Sequence, residues 1–248
     1  IEQLDKYAYR HPVLSDPLRA KFCRMLAEVT PGDLNHIYLV SGGSEAVETA
    51  FKVARQAQIA RGHLDKYKII SHHDSYHGMT LATLGASGSP GSQKPFMPMI
   101  PKWPHIRQYS DFDRPESISR EEWGVHCAQA LETAIHYEGH QSVAAFLATP
   151  HGCGADYAVV PPASYWRTIR EICDRYDVLL ITDEVVTGRG ELHPYHHRHD
   201  AADEVRHEHQ QDDVDDLRER ELERVGEAAY HGRREDEALR ACRGGEAE

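Results

Sequence analysis

The most restrictive feature of this sequence is a helix-period stripe that runs directly into an apolar strand and ends on a carboxylate. Residues 164–176 place Trp166, Ile169, Ile172, Cys173 and Tyr176 on one stripe behind Pro161-Pro162, and residues 178–181 (VLLI) lead into Thr182-Asp183-Glu184-Val185-Val186. A short run that is apolar throughout suits a strand buried on both faces, as in a parallel sheet. Residues 67–71 (YKIIS) and 142–148 (SVAAFLA) share that character, and 36–40 (HIYLV) is a further β-prone run. Between them, residues 44–60 carry Val47, Phe51, Val53, Ala54 and Ala57 near helical spacing. Ser44 is the candidate N-cap there, and Glu45 and Glu48 are expected in the first turn, where acidic groups favour the positive helix end. Strands alternating with helices predict an α/β fold, a mostly parallel sheet with flanking helices.

Residues 189–248 break this pattern. They hold 18 Asp and Glu, ten Arg, seven His and no Lys, which is −8 of the chain's formal −12. Large apolar residues there are few, so the segment can bury little surface against an ordering cost of ~1–2 kcal/mol per residue. The expected organisation is one α/β domain over 1–188 followed by an acidic, His- and Arg-rich tail over 189–248, disordered or loosely helical. The net negative charge argues against nucleic acid as a partner. Five scattered cysteines without a C-x-x-C pair fit a reducing compartment, and no stretch approaches the ~18 apolar residues of a membrane helix. A cytoplasmic protein with no membrane partner is expected. Because it opens on Ile1 in mid-pattern, the chain is also expected to be part of a longer gene product.

Three short motifs carry chemistry. Ser41-Gly42-Gly43-Ser44 stands where a strand passes into a helix, and the unpaired first amides of a helix bind phosphate. The same residues would serve equally as a tight turn with a cap. Asp183 lies at the carboxyl end of an apolar strand, the edge at which open α/β sheets bind ligands. A carboxylate there needs a cationic or hydrogen-bonding partner, though it could also cap a helix or ligate a metal. Ser75-Tyr76-His77-Gly78 sets an aromatic beside a glycine that permits close approach, or simply forms a turn with a packed tyrosine.

In this order the stretches SGGSEAVETAFKVAR, SYHGMTLATLGASG and PPASYWRTIREICDRYDVLLITDEVVTG resemble the class III aminotransferases of the fold type I pyridoxal-phosphate superfamily. The resemblance runs nearly without gaps from His11 to Gly188. It implies an incomplete large domain of that fold, a homodimer, and pyridoxal 5′-phosphate as cofactor. The implied reaction passes an amino group between a small-molecule amine or amino acid and a 2-oxo acid. By resemblance, Gly43 and Ser44 hold the cofactor phosphate, and Tyr76, with His77 beside it, stacks on the pyridine ring. Asp183 pairs with the ring nitrogen, and Val185 packs on the opposite ring face.

Two departures qualify that resemblance. The family's D-E-V-x-T-G continues Phe-Gly-Arg-Thr-Gly and later supplies the Schiff-base lysine, whereas Thr187-Gly188 is followed here by Arg189-Gly190-Glu191-Leu192-His193 and no lysine occurs after Lys102. The chain therefore has no catalytic residue to name, and the abrupt change reads as a shifted reading frame that leaves it truncated and inactive. Thr149-Pro150 also stands where many relatives have Glu-Pro. Two other functions stay open: a non-catalytic interaction or scaffold protein built on this fold, and metal binding through His193, His196, His197 and His199, which could equally be an accidental histidine-rich segment. No metal site is expected.

Overall fold

All six residues of the strand Val143–Ala148 are fully buried, the outcome expected of a run apolar on both faces. The computed structural model describes residues 5–6, 9, 16–30, 32, 34–151 and 159–187. In chain order its main elements are α1 (Pro17–Val29), α2 (Gly43–Ala60), β1 (Lys68–His72), α3 (Leu81–Ala86), α4 (Pro90–Gln93), β2 (His105–Ile106), α5 (Arg120–Glu138), β3 (Val143–Ala148), α6 (Ala163–Arg175) and β4 (Leu179–Thr182). The strands form a parallel sheet in the order β2-β1-β3-β4, with Ile70 opposite Phe146 and Ala148 opposite Thr182.

Side-chain alternation along β3 divides the core between two helix layers. Phe146 and Ala148 pack against Ala128, Leu131 and Ile135 of α5 and Tyr165, Ile169 and Ile172 of α6. Ala145 and Leu147 pack with Val47, Phe51 and Ala54 of α2. The turn entering β4 is held from three directions, and this sets where the strand ends. Asp177 adopts φ 48°, and its carbonyl accepts from Gln58 Nε2 at 2.8 Å and Lys66 Nζ at 2.7 Å. Its carboxylate meets Arg61 at 2.8 Å.

Two local expectations need correction. Residues 36–40 form no strand: Tyr38 and Val40 are exposed, and no neighbouring ladder is present among the described residues to satisfy their amides and carbonyls. Ser44 is not the N-cap of α2. That position falls to Gly42, without a side-chain cap, because the Ser44 hydroxyl is engaged elsewhere; Glu45 alone stays in the first turn, its carboxylate accepting from the Ser41 amide at 2.8 Å. The tail over 189–248, the domain boundary at 188 and the histidine cluster lie outside the described residues.

One buried group makes the fold sensitive to acid. His72 of β1 is 2 % exposed and shares a 2.7 Å hydrogen bond with the Tyr165 hydroxyl. Burial, reinforced by the nearby histidines, lowers its pKa from the ordinary 6.5 to about 3. Below about pH 6.5 the unfolded chain binds a proton that the folded chain refuses, so stability is present above that pH and is lost as pH falls toward about 3. Urea unfolding is expected to show this as a midpoint falling from pH 7 to 5. The slope should be up to roughly 1.4 kcal/mol per pH unit and should flatten in His72→Gln. An identical slope in the variant would place the proton elsewhere.

Candidate functional site

The site forms at the carboxyl edge of the sheet, where three connections converge. Beyond β4 the ladder extends by one bond, from the Asp183 amide to the Ala148 carbonyl at 2.9 Å. That bond sets Asp183 beside Thr149, the residue that follows β3. Asp183 is only 9 % exposed, and both its oxygens are engaged: Oδ1 accepts from the Val185 amide at 3.2 Å and Oδ2 from His77 Nδ1 at 2.9 Å. Because a carboxylate only accepts, the contact places a proton on His77 Nδ1. The His77 side chain is fully enclosed, and its Nε2 has no hydrogen-bond partner among the described residues.

The loop that carries Tyr76 and His77 is fixed from below. Ser75 Oγ donates to the His72 carbonyl at 2.7 Å, the Gly88 amide donates to the Ser75 carbonyl at 2.9 Å, and the His77 amide donates to Ser87 Oγ at 2.8 Å. Gly78 follows at φ 128°, a backbone conformation that disfavours side chains. A Cβ at that position would stand 2.4 Å from Ser44 Oγ and 2.7 Å from Thr83 Oγ1, so only glycine lets the loop lie against the start of α2. There the Ser44 hydroxyl accepts from the Met79 amide at 3.0 Å, which leaves its own proton available to a ligand.

The first intrahelical bond at this end of α2 runs from the Ala46 amide to the Gly42 carbonyl at 3.0 Å. The amides of Gly43, Ser44 and Glu45 therefore have no acceptor within the helix, and together with the helix dipole they favour an anion. Val185 closes over them: a Cβ on Gly43 would meet its Cγ2 at 3.1 Å. The result is a cavity of about 230 Å³, somewhat below the roughly 300–1,000 Å³ of small-molecule sites. Gly43, Ser44, Tyr76, His77, Asp183 and Val185 all line it. Tyr76 and Val185 keep more than half their surface exposed.

Gly78, Thr149 and Val186 also line the cavity. Thr149 stood out in the sequence only as a departure, and the His77–Asp183 contact joins residues 106 positions apart with no local signal. No lysine is among the lining residues. Among the described residues no group of three His, Cys, Asp or Glu side chains is arranged to hold a metal.

The order of the site, with its helix terminus, aromatic loop and strand-end carboxylate, coincides with a family match over residues 1–205 to aminotransferase class-III. The chain belongs to the class-III aminotransferases. It is 35% identical over 174 residues to the putrescine–pyruvate aminotransferase of Pseudomonas aeruginosa, covering 70% of this chain and 38% of that protein. The (S)-enantioselective omega-transaminase of Thermomicrobium roseum superposes with a TM-score of 0.72 at 35% identity, covering 79% of this chain and 45% of that one. The omega-transaminase of Pseudomonas jessenii in complex with PMP superposes with a TM-score of 0.72 at 29% identity, covering 78% and 45%. The chain thus spans about four-tenths of the length of the curated relatives it matches.

Proposed function

We propose that this chain keeps the non-covalent part of a class-III aminotransferase site, binding pyridoxal 5′-phosphate without the Schiff base through which that family moves an amino group between an amine or amino acid and a 2-oxo acid, and that it is therefore itself inactive. The observation that carries the proposal is a pair of opposed features in one cavity. Uncapped amides at the start of α2 suit a phosphate, and a buried carboxylate, Asp183, suits a protonated ring nitrogen. Gly43 and Ser44 bind the phosphate, Ser44 adding the proton of its hydroxyl. Asp183, oriented by His77 and by the Val185 amide, keeps the ring nitrogen protonated, while Tyr76 and Val185 give apolar surface to the ring. When bound, the ring supplies an electron sink for the pair left on the substrate carbon. A homodimer is the proposed assembly.

Titration with pyridoxamine 5′-phosphate and with unphosphorylated pyridoxamine tests this, since neither carries the aldehyde that would label surface lysines. The phosphorylated form is expected to bind more tightly, and Ser44→Ala to weaken it about tenfold, the size of a hydrogen bond to a charged group. The weaker ligand should be little changed. Equal affinity for the two ligands would sink the assignment of the phosphate site.

A further inference from the structure

Thr149 is 5 % exposed, and its hydroxyl is enclosed without a hydrogen-bond partner among the described residues. Native proteins retain few such groups, so an orphaned hydroxyl on a residue that lines a cavity points to a ligand atom that completes it. Among the described residues no group takes up the Thr149 hydroxyl. Asp183, its neighbour across the end of the β3–β4 ladder, has one oxygen on the Val185 amide and the other on His77. The residue is fixed where it stands because β3 is wholly buried up to Ala148 and the Asp183 amide binds the Ala148 carbonyl.

We infer that the Thr149 hydroxyl is a ligand-binding group of this cavity, donating a hydrogen bond to the ring hydroxyl oxygen of the bound cofactor. The inference rests on the pyridoxal phosphate reading. With the phosphate on α2 and the ring nitrogen on Asp183, the ring oxygen is the remaining acceptor that can carry negative charge. A threonine hydroxyl can donate to it, whereas a glutamate at the same place would set a second carboxylate beside Asp183 and donate nothing when ionised. Thr149 therefore gives this chain a neutral donor at the strand end and leaves Asp183 as the only carboxylate among the described lining residues.

The test is calorimetric titration of the full 248-residue chain, as wild type, Thr149→Val and Thr149→Ser, with pyridoxamine 5′-phosphate and with its analogue lacking the ring hydroxyl. Thr149→Val should weaken the natural ligand about tenfold and leave the analogue unchanged, and Thr149→Ser should stay within about twofold of wild type. Because valine replaces an unpaired hydroxyl at constant shape, the variant should unfold no earlier than wild type. If it does not fold, Thr149→Ala removes the same hydroxyl and carries the comparison. Equal weakening of both ligands, or no weakening of either while wild type binds, overturns the role of Thr149 alone. Failure of wild type to bind either ligand overturns the cofactor reading, and this inference with it.

Discussion

Mixed with pyridoxal 5′-phosphate and an amine donor, the 248-residue chain is expected to give no amino transfer and, after borohydride reduction, no single stoichiometrically labelled lysine. Its lysines are Lys6, Lys21, Lys52, Lys66, Lys68, Lys94 and Lys102, and the cavity wall contains none of them. Lys66 is the one whose amine burial makes easier to deprotonate, but it is 4 % exposed, and its Nζ is held by the carbonyls of Tyr176 at 2.6 Å and Asp177 at 2.7 Å. Lys68 is paired with Glu138 at 2.7 Å. Lys6, Lys21, Lys52, Lys94 and Lys102 are exposed, where an amine forms only weak, unselective adducts. Without a positioned amine there is neither a covalent anchor nor a base to move the proton between the two carbons of the exchange. The loss expected is complete rather than graded. Peptide mapping that found one lysine labelled at one per chain, with measurable turnover, would overturn the inactivity proposed for this chain and identify the substitute base.

Asp183→Ala is expected to weaken pyridoxamine 5′-phosphate roughly 10- to 100-fold, the range for losing a charge-assisted hydrogen bond, and to destabilise the apo chain by about 1–3 kcal/mol. The second effect arises at His77, whose enclosed ring would lose the partner of Nδ1 while Nε2 already has none. Asp183→Asn separates the two contributions. Its amide oxygen can still accept from His77, though its NH2 then faces the Val185 amide and that bond is lost, so stability should fall less than in Asp183→Ala, while the missing charge should weaken the ligand nearly as much as alanine does. Isothermal titration and urea unfolding of both variants provide the measurements. Wild-type affinity in Asp183→Asn would show that the ring nitrogen is not held here.

Much of this arrangement is visible in the linear chain because it is locally encoded. The apolar run at 143–148 has to be buried on both faces, and the 3.6-residue stripe of α6 has to pack on a sheet, which is enough to specify parallel α/β order. The similar run at 179–182 is only partly buried, because β4 ends the strand order among the described residues. The glycine at 78 and the carboxylate at 183 are legible for a similar reason. A glycine answers a backbone constraint, and a charge at the end of an apolar strand requires a partner.

What the sequence by itself determined, then, is the α/β class and the order of α2, β1, β3, α6 and β4 within it, while α1, α3, α4, β2 and α5 went unread; the family resemblance added the names of six residues that line one cavity. Only the tertiary structure decided which atoms meet there. His77 reaches Asp183 across 106 residues because β1 and β4 flank β3 in the sheet, and strand order is a property of packing rather than of local pattern. Ser44 binds the Met79 amide instead of capping its own helix because Gly78 lets that loop approach. The apolar run at 36–40 forms no strand because strand formation needs a partner edge, which no stretch of sequence supplies for itself. The Thr149 hydroxyl becomes conspicuous only when its surroundings are known, since a missing hydrogen bond is defined by every neighbour that could have made it.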